Sequence, residues 1–499
     1  MWLASIAERN GRAFRDELAV VDDRCQLTFG ELAERSLRLA SGLRRLGVRR
    51  GDRVLLLSRN RAEMLESYLA LARVGATAVP VNHGLARPEL EHVLSECSVA
   101  AVLSEGGHLA VDALADSSFT IDFDDDQYRS LVLDEEMQPM PETSLGDMAA
   151  ILFTSATTGK PKGAVLSQGS LMHTSLSWLA TARPAPGTVF LSAPPLFHST
   201  VTIAFAYLAA GATILLMRRF SPQRCLALVE EQKANHLYLV PSMIDYLLRA
   251  KGLEDTDLSS VTDVIHGAAP MPSQLRRRAE SALGALLRDC YGQAEAGGPI
   301  TLGDPRPHPP RLREKPEARP GTCGRPLLGM TVKILAESGE EAPVGELGEV
   351  CVRSAALMSG YWGNPGATAT AIRNGWLRTG DIGRLDEQGY LYLMDRRVDL
   401  IIRGGQNVYP AEIERVLHEH RGVADVAVIG VDDDALQEVP VALVVAEEGW
   451  SADARELTLF AGERLASYKR PAQFEFVESL PRSEAGKILK RQLRSAWGR

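Results

Sequence analysis

The sequence predicts an α/β protein. Two doubly wound α/β subdomains and a small β-barrel-like unit form a large N-terminal domain, and a small α+β C-terminal domain follows. Three observations predict this. The chain has 499 residues, more than one ordinary hydrophobic core organises. Helical periodicity alternates with short, wholly apolar runs in two separate stretches, the pattern of buried strands covered by helices. The pattern then changes twice, after a proline-rich loop at 304–320 and after the charged run Asp395-Arg396-Arg397-Val398-Asp399.

The elements follow in order. Leu32, Leu39, Leu43 and Leu46 share one helical face, and Gly47 ends that helix. Val54 to Leu57 reads as a buried strand. A second helix carries Met64, Leu65, Leu69 and Leu71 up to Gly75, and Ala78 to Val81 reads as the next strand. The alternation returns from 201 to 300. The apolar run Val201 to Met217 is short for a membrane span of roughly 20 residues, and Thr202, Gly211 and Thr213 interrupt it. It reads as a buried helix, a turn at Gly211 and a strand. A helix near Pro222 to Lys233 precedes strands at Leu237 to Val240 and Val264-Ile265. Short strands at 332–335, 348–352 and 390–393 form the β-rich unit. After Pro410 come a helix through Leu417 and strands at 426–429 and 441–445.

Composition narrows the function. Apolar residues make up 45% and charged residues 24%, and the net charge is −9, so a broad basic face for nucleic acid is not expected. No membrane span and no secretory leader is read from the sequence. The six cysteines are scattered, with no CxxC pair. This disfavours zinc ribbons and a disulfide framework and points to reduced thiols in the cytoplasm.

The segment Ile151 to Gly163 carries the chemistry. An apolar strand feeds Thr154, Ser155, Ala156, Thr157, Thr158, Gly159, Lys160, Pro161 and Lys162. Hydroxyls, ammonium groups and glycines that admit close backbone approach are what a polyphosphate needs. A Walker loop would require Gly at Thr154 and Ser or Thr after Lys160, and Pro161 removes an amide donor where its helix would begin.

This segment resembles the phosphate-binding signature of the adenylate-forming enzymes, which include acyl-CoA synthetases, carrier-protein adenylation domains and luciferases. Ala156 stands where that family usually has Gly. The resemblance continues in order through Tyr291-Gly292-Gln293-Ala294-Glu295, Thr379-Gly380-Asp381, Arg396 with Asp399, Gly404 to Glu414, and Pro481 to Ile488. It implies an AMP-binding domain over 1–395 and a mobile catalytic domain over 396–499.

The activity implied has two half-reactions. A carboxylate attacks the α-phosphate of ATP to give an acyl-adenylate and pyrophosphate; the thiol of CoA then attacks the acyl carbon and releases AMP. ATP, CoA and magnesium are the implied cofactors and substrates, beside a small carboxylic acid. Glu295 resembles the magnesium ligand, with Thr154 adding an oxygen. Residues 154–159 and Lys162 would hold the phosphates. Tyr291, Gly292, Gln293 and Ala294 would lie along the nucleotide, with Tyr291 against adenine and Gly267, Ala268 and Ala269 as the opposite wall. Asp381 and Arg396 would bind ribose. His198 would stand beside the carboxylate pocket with Gly267; Thr202 to Tyr207, Ser242 to Tyr246 and the stretch after Glu295 would add walls, and Gly297-Gly298 would leave space. Gly404 and Gly405 would line the CoA path. Lys487, on an exposed loop, would stabilise the charge of the adenylation step.

Ala294 replaces the usual Thr and Val398 the usual hinge Asp or Lys. Carrier-loading relatives also accept Ala at the former, so an acyl carrier protein is an alternative acceptor. A luciferase-like monooxygenase and a degenerate nucleotide-binding scaffold are further alternatives, and a homodimer is compatible with the chain. No Asp is placed to hold an α-amino group, so an aryl or short-to-medium acyl acid is expected.

Overall fold

The computed structural model describes residues 3–106, 119–154, 161–304, 321–396, 399–404, 406–433, 436–451, 453–483 and 486–497, the side chains of 395 and 396 apart. Among them four sheets carry the architecture.

The first sheet has nine strands. Leu286–Gln293, Asp263–Gly267, His236–Leu239, Val189–Ser192, Thr213–Leu216 and Leu18–Val21 lie side by side in parallel. Antiparallel strands close its edges: Gln26–Thr28 on one, Gly298–Leu302 and Arg325–Pro326 on the other. The second sheet has seven strands. Met148–Thr154, Thr77–Val81, Arg53–Leu57, Ala101–Ser104 and Phe119–Asp122 are parallel, and antiparallel Lys162–Ser167 and Gly360–Tyr361 extend it.

Strand alternation decides where the core sits. In Arg53–Leu57, Val54 and Leu56 face one hydrophobic cluster, while Leu55 and Leu57 face another. In Thr213–Leu216, Ile214 and Leu216 join that first cluster, and Leu215 points to a third. The shared cluster also takes Leu39, Leu65, Leu171 and Phe205 from the helices Phe29–Arg45, Ala62–Val74, Gln168–Ala182 and Thr200–Ala210. These four helices form a layer between the sheets. Pro222–Gln232, Pro241–Leu248 and Ser273–Leu283 cover the outer face of the first sheet, and Arg87–Cys97 that of the second. Burial on both faces is why these strands read as unbroken apolar runs.

The run 201–217 resolves as read. Its helix ends at Gly211, whose φ of 78° is left-handed, and the strand starts two residues later. Leu46 departs from its expected place. The helix stops at Arg45, and Leu46 at its C-cap is 39% exposed rather than in the core. No described helix is long and apolar enough to cross a membrane.

The β-rich unit is a five-stranded antiparallel sheet built on Thr331–Leu335, Gly348–Arg353 and Trp376–Leu385. The fourth sheet lies wholly after residue 400; Val423–Asp433 and Gln437–Ala446 pair along their length, with helix Pro410–Leu417 packed on them.

Candidate active site

The carboxyl ends of the parallel strands put the expected residues together. In the first sheet Leu239 pairs with His266, and Gly267 with Cys290. Val240 to Ser242, Gly267 to Ala269 and Tyr291 to Glu295 therefore lie side by side at one end of the parallel strands, where doubly wound folds bind ligands. Gly267 is small for a local reason: a Cβ there would lie 2.4 Å from the Cys290 carbonyl oxygen. The wall is braced from behind. Arg276 donates to His266 Nε2 at 3.0 Å and pairs with Asp289.

Glu295 sits on a single 3-10 turn, Ala294–Ala296, and is 9% exposed. The Thr154 hydroxyl donates to its Oε1 at 3.3 Å, and the Tyr361 hydroxyl at 2.9 Å. Thr154 closes the phosphate strand, and its backbone pairs with Lys162 on the return strand. Among the described residues Glu295 has no ion pair, although a nearly buried carboxylate is costly without one. The described residues hold no group of three or more His, Cys, Asp or Glu side chains able to bind a metal. One carboxylate beside hydroxyls and a polyphosphate fits magnesium, which keeps several waters and takes few protein ligands.

Tyr291 reaches across to the β-rich unit, where its hydroxyl donates to Asp381 Oδ2 at 2.6 Å. Burial, then the Asp381 charge, holds the Tyr291 phenol protonated far above neutral pH. Asp381 is 8% exposed and pairs in backbone register with Arg396. Among the described residues Gln293 Nε2, at the end of the strand that carries Tyr291, is shielded from solvent and has no hydrogen-bond partner. Burial alone lowers the pKa of His198 to about 4, so it is neutral at physiological pH.

Some expectations need correction. Gly297 does not leave room for substrate: a Cβ there would meet the Ala356 carbonyl oxygen at 2.3 Å, and one at Gly298 would meet Thr202 Oγ1 at 2.6 Å. These glycines let protein backbone and side chains approach, and the space is already filled. Tyr246 faces solvent at 60% exposure, because Ile244 and Leu247 take the inward face of its helix. Lys487 is not on an exposed loop. It is half-buried, and the preceding Gly486 lies against Val240 and Ser242, where its Cβ would meet Ser242 Oγ at 2.7 Å. The lysine loop is thus docked beside the carboxyl ends of the first sheet's strands. With the lysine loop docked, Gly404 lies elsewhere, and its expected place on the CoA path belongs to the rotated arrangement; its N–H donates to the Leu436 carbonyl, and nearby Asn407 touches Glu337 of the β-rich unit at 3.5 Å. Ser155, Ala156, Thr157, Thr158, Gly159, Val398 and Gly405 lie outside the described residues. Tyr361 escaped the sequence reading; its only signal is the turn-rich Gly360-Tyr361-Trp362-Gly363-Asn364-Pro365.

All six cysteines are free thiols. Burial raises five of them to about 12 and Cys351 to about 11. Burial therefore keeps them in the thiol form at neutral pH.

The strand pair that carries Thr154 and Lys162, the Glu295 carboxylate on the facing turn and the Lys487 loop from a second unit suit an enzyme that acts on a nucleoside polyphosphate. The comparisons agree. A family model described as AMP-binding enzyme matches residues 7–362, and one described as AMP-binding enzyme C-terminal domain matches 412–487. The feruloyl-CoA synthase of an Amycolatopsis species is 35% identical over 498 residues, covering 99% of each chain. The fatty acid–[acyl-carrier-protein] ligase ScoC of Streptomyces coeruleorubidus is 33% identical, covering 96% of this chain and 93% of its own. ATP-bound MatB from Rhodopseudomonas palustris has a TM-score of 0.91 at 29% identity, over 100% of this chain and 99% of that one. The chain belongs to the AMP-binding enzyme family, the adenylate-forming superfamily that includes the acyl-CoA synthetases. Within it the protein is an acid–thiol ligase that uses ATP and CoA.

Proposed function

We propose that the protein activates an aryl or short-to-medium acyl carboxylic acid as its adenylate and passes the acyl group to CoA. Magnesium supplies charge neutralisation on the phosphates and is held by Glu295 with Thr154. Lys162 and the hairpin 154–159 bind the phosphates. Tyr291 and Gly267 to Ala269 enclose adenine, Asp381 accepts from the ribose hydroxyls, and Arg396 donates to the ribose from the junction side. Neutral His198 borders the acid. It adds no second positive charge there, which leaves Lys487 to balance the charge that develops at the α-phosphorus as the carboxylate attacks and pyrophosphate leaves. The CoA thiol then attacks the acyl carbon and AMP departs. Residues 396–499 move as a unit between the two steps, and Gly404 and Gly405 line the thiol path once Lys487 has withdrawn.

The observation that supports this reading most is the seat of Gly486 on Ser242, three residues past Leu239, whose strand partner His266 precedes the Gly267 wall. A second reading, in which an acyl carrier protein supplies the thiol, is favoured by Ala294 in place of a hydroxyl and by the likeness to ScoC. ATP–pyrophosphate exchange over a panel of aliphatic, aryl and dicarboxylic acids tests the first step. AMP release on adding CoA, against release with an acyl carrier protein, separates the acceptors. Exchange with an aryl or short acyl acid and CoA-dependent AMP release is the expected result; no exchange with any acid refutes the reading.

A further inference from the structure

The strand Gly360–Tyr361 has two residues, yet it joins both halves of the phosphate machinery. Its backbone extends the hairpin, with Gly360 paired to Val165 and Tyr361 to Ala164. Ser359 N–H donates to the Val165 carbonyl at 2.9 Å and Trp362 N–H to the Gly163 carbonyl at 2.8 Å. This fixes the segment next to Lys162. The same segment grips Glu295 twice. Met358 N–H donates to its backbone carbonyl at 2.9 Å, and the Tyr361 hydroxyl donates to its Oε1, also at 2.9 Å. The Lys162 ammonium lies over the Tyr361 ring, 5.3 Å from its centroid. Tyr361 itself has little freedom. Its N–H donates to Thr368 Oγ1 at 2.8 Å, and the next indole N–H, from Trp362, donates to the Glu96 carbonyl at 2.9 Å.

We propose that Tyr361 is a positioning residue for cation and phosphate binding. Its hydroxyl pins one oxygen of Glu295 so that the other is presented to the cation, and its ring steers Lys162 towards the phosphates. A carboxylate on a single turn would otherwise rotate about its own bond, and a lysine on a four-carbon stem would sample many rotamers. The inference rests on Glu295 being the cation ligand.

The test is calorimetric binding of ATP to the full chain across a magnesium titration, without carboxylic acid so that no chemistry follows. Glu295→Gln is expected to remove the magnesium dependence of ATP affinity. Tyr361→Phe keeps the ring and loses the hydroxyl. It is expected to raise the half-saturating magnesium concentration about tenfold, the loss of one hydrogen bond to a charged group, while leaving ATP affinity at saturating magnesium unchanged. Tyr361→Leu is expected to show the same magnesium shift and weaker ATP binding even at saturating magnesium. If Tyr361→Phe leaves the magnesium midpoint unmoved while Glu295→Gln abolishes the dependence, the positioning role is overturned. If Glu295→Gln leaves the dependence intact, the ligand assignment fails and the inference falls with it. A Tyr361→Phe protein that only melts earlier, with an unchanged midpoint, also overturns it.

Discussion

His266 never faces the substrate edge, yet it holds that edge in place. It is buried at the end of its strand, accepts from Arg276, and lies 3.4 Å from Asp289. Burial lowers its pKa from 6.5 to about 4; Asp289 opposes the shift and Arg276 adds to it. Between those values the unfolded chain binds a proton that the folded protein does not, so this residue makes stability rise with pH. Its contribution is complete above 6.5 and is lost as pH falls towards about 4. Chemical denaturation at about pH 7 and about pH 5 should therefore show a smaller acid loss for His266→Gln than for the parent. His198 adds a slope of the same sign, so part of the loss remains. Equal losses in the two proteins would contradict this account of His266. At this scale the ordered motifs made Glu295, Asp381 and Lys487 legible in the sequence. Tyr361 was not, because its partner Glu295 lies 66 residues away and no spacing rule links a tyrosine to a distant carboxylate.

Among the elements, strands and helices were legible because burial on both sides makes strands wholly apolar and helices keep their own period. Close approach was not. Gly297 reads in sequence as open space, but the Ala356 backbone occupies it. The turn at Gly486 likewise reads as an exposed loop until Ser242 is seen beneath it. Gly486 has φ 76° and a Cβ position 2.7 Å from Ser242 Oγ, so any side chain there strains the backbone and lifts the loop. Gly486→Ala should slow adenylate formation and spare thioester formation from a supplied acyl-adenylate. Adding Ser242→Gly removes the clash but not the backbone strain, so it should restore only part of the lost rate, read by stopped-flow of each half-reaction. A double variant no faster than Gly486→Ala would show that docking on Ser242 is not what the glycine serves.

Across the whole molecule, the three sheets up to residue 396 and the sheet after residue 400 meet at one edge. On the proposed reading the first two sheets turn their carboxyl ends to the nucleotide, the β-rich unit supplies Asp381, and the last unit supplies Lys487. On the same reading, a chain of net charge −9 handles a polyanion through a few cations carried by its motifs, Lys162, Arg396 and Lys487, which composition averages away. The central claim is that Lys487 serves the first half-reaction and must leave for the second. The most direct measurement takes Lys487→Ala and follows both steps separately, pyrophosphate release from ATP plus acid, and thioester formation from a supplied acyl-adenylate plus CoA. The account predicts that the first is abolished and the second is mostly intact. Equal loss of both steps, or an unchanged first step, would contradict it.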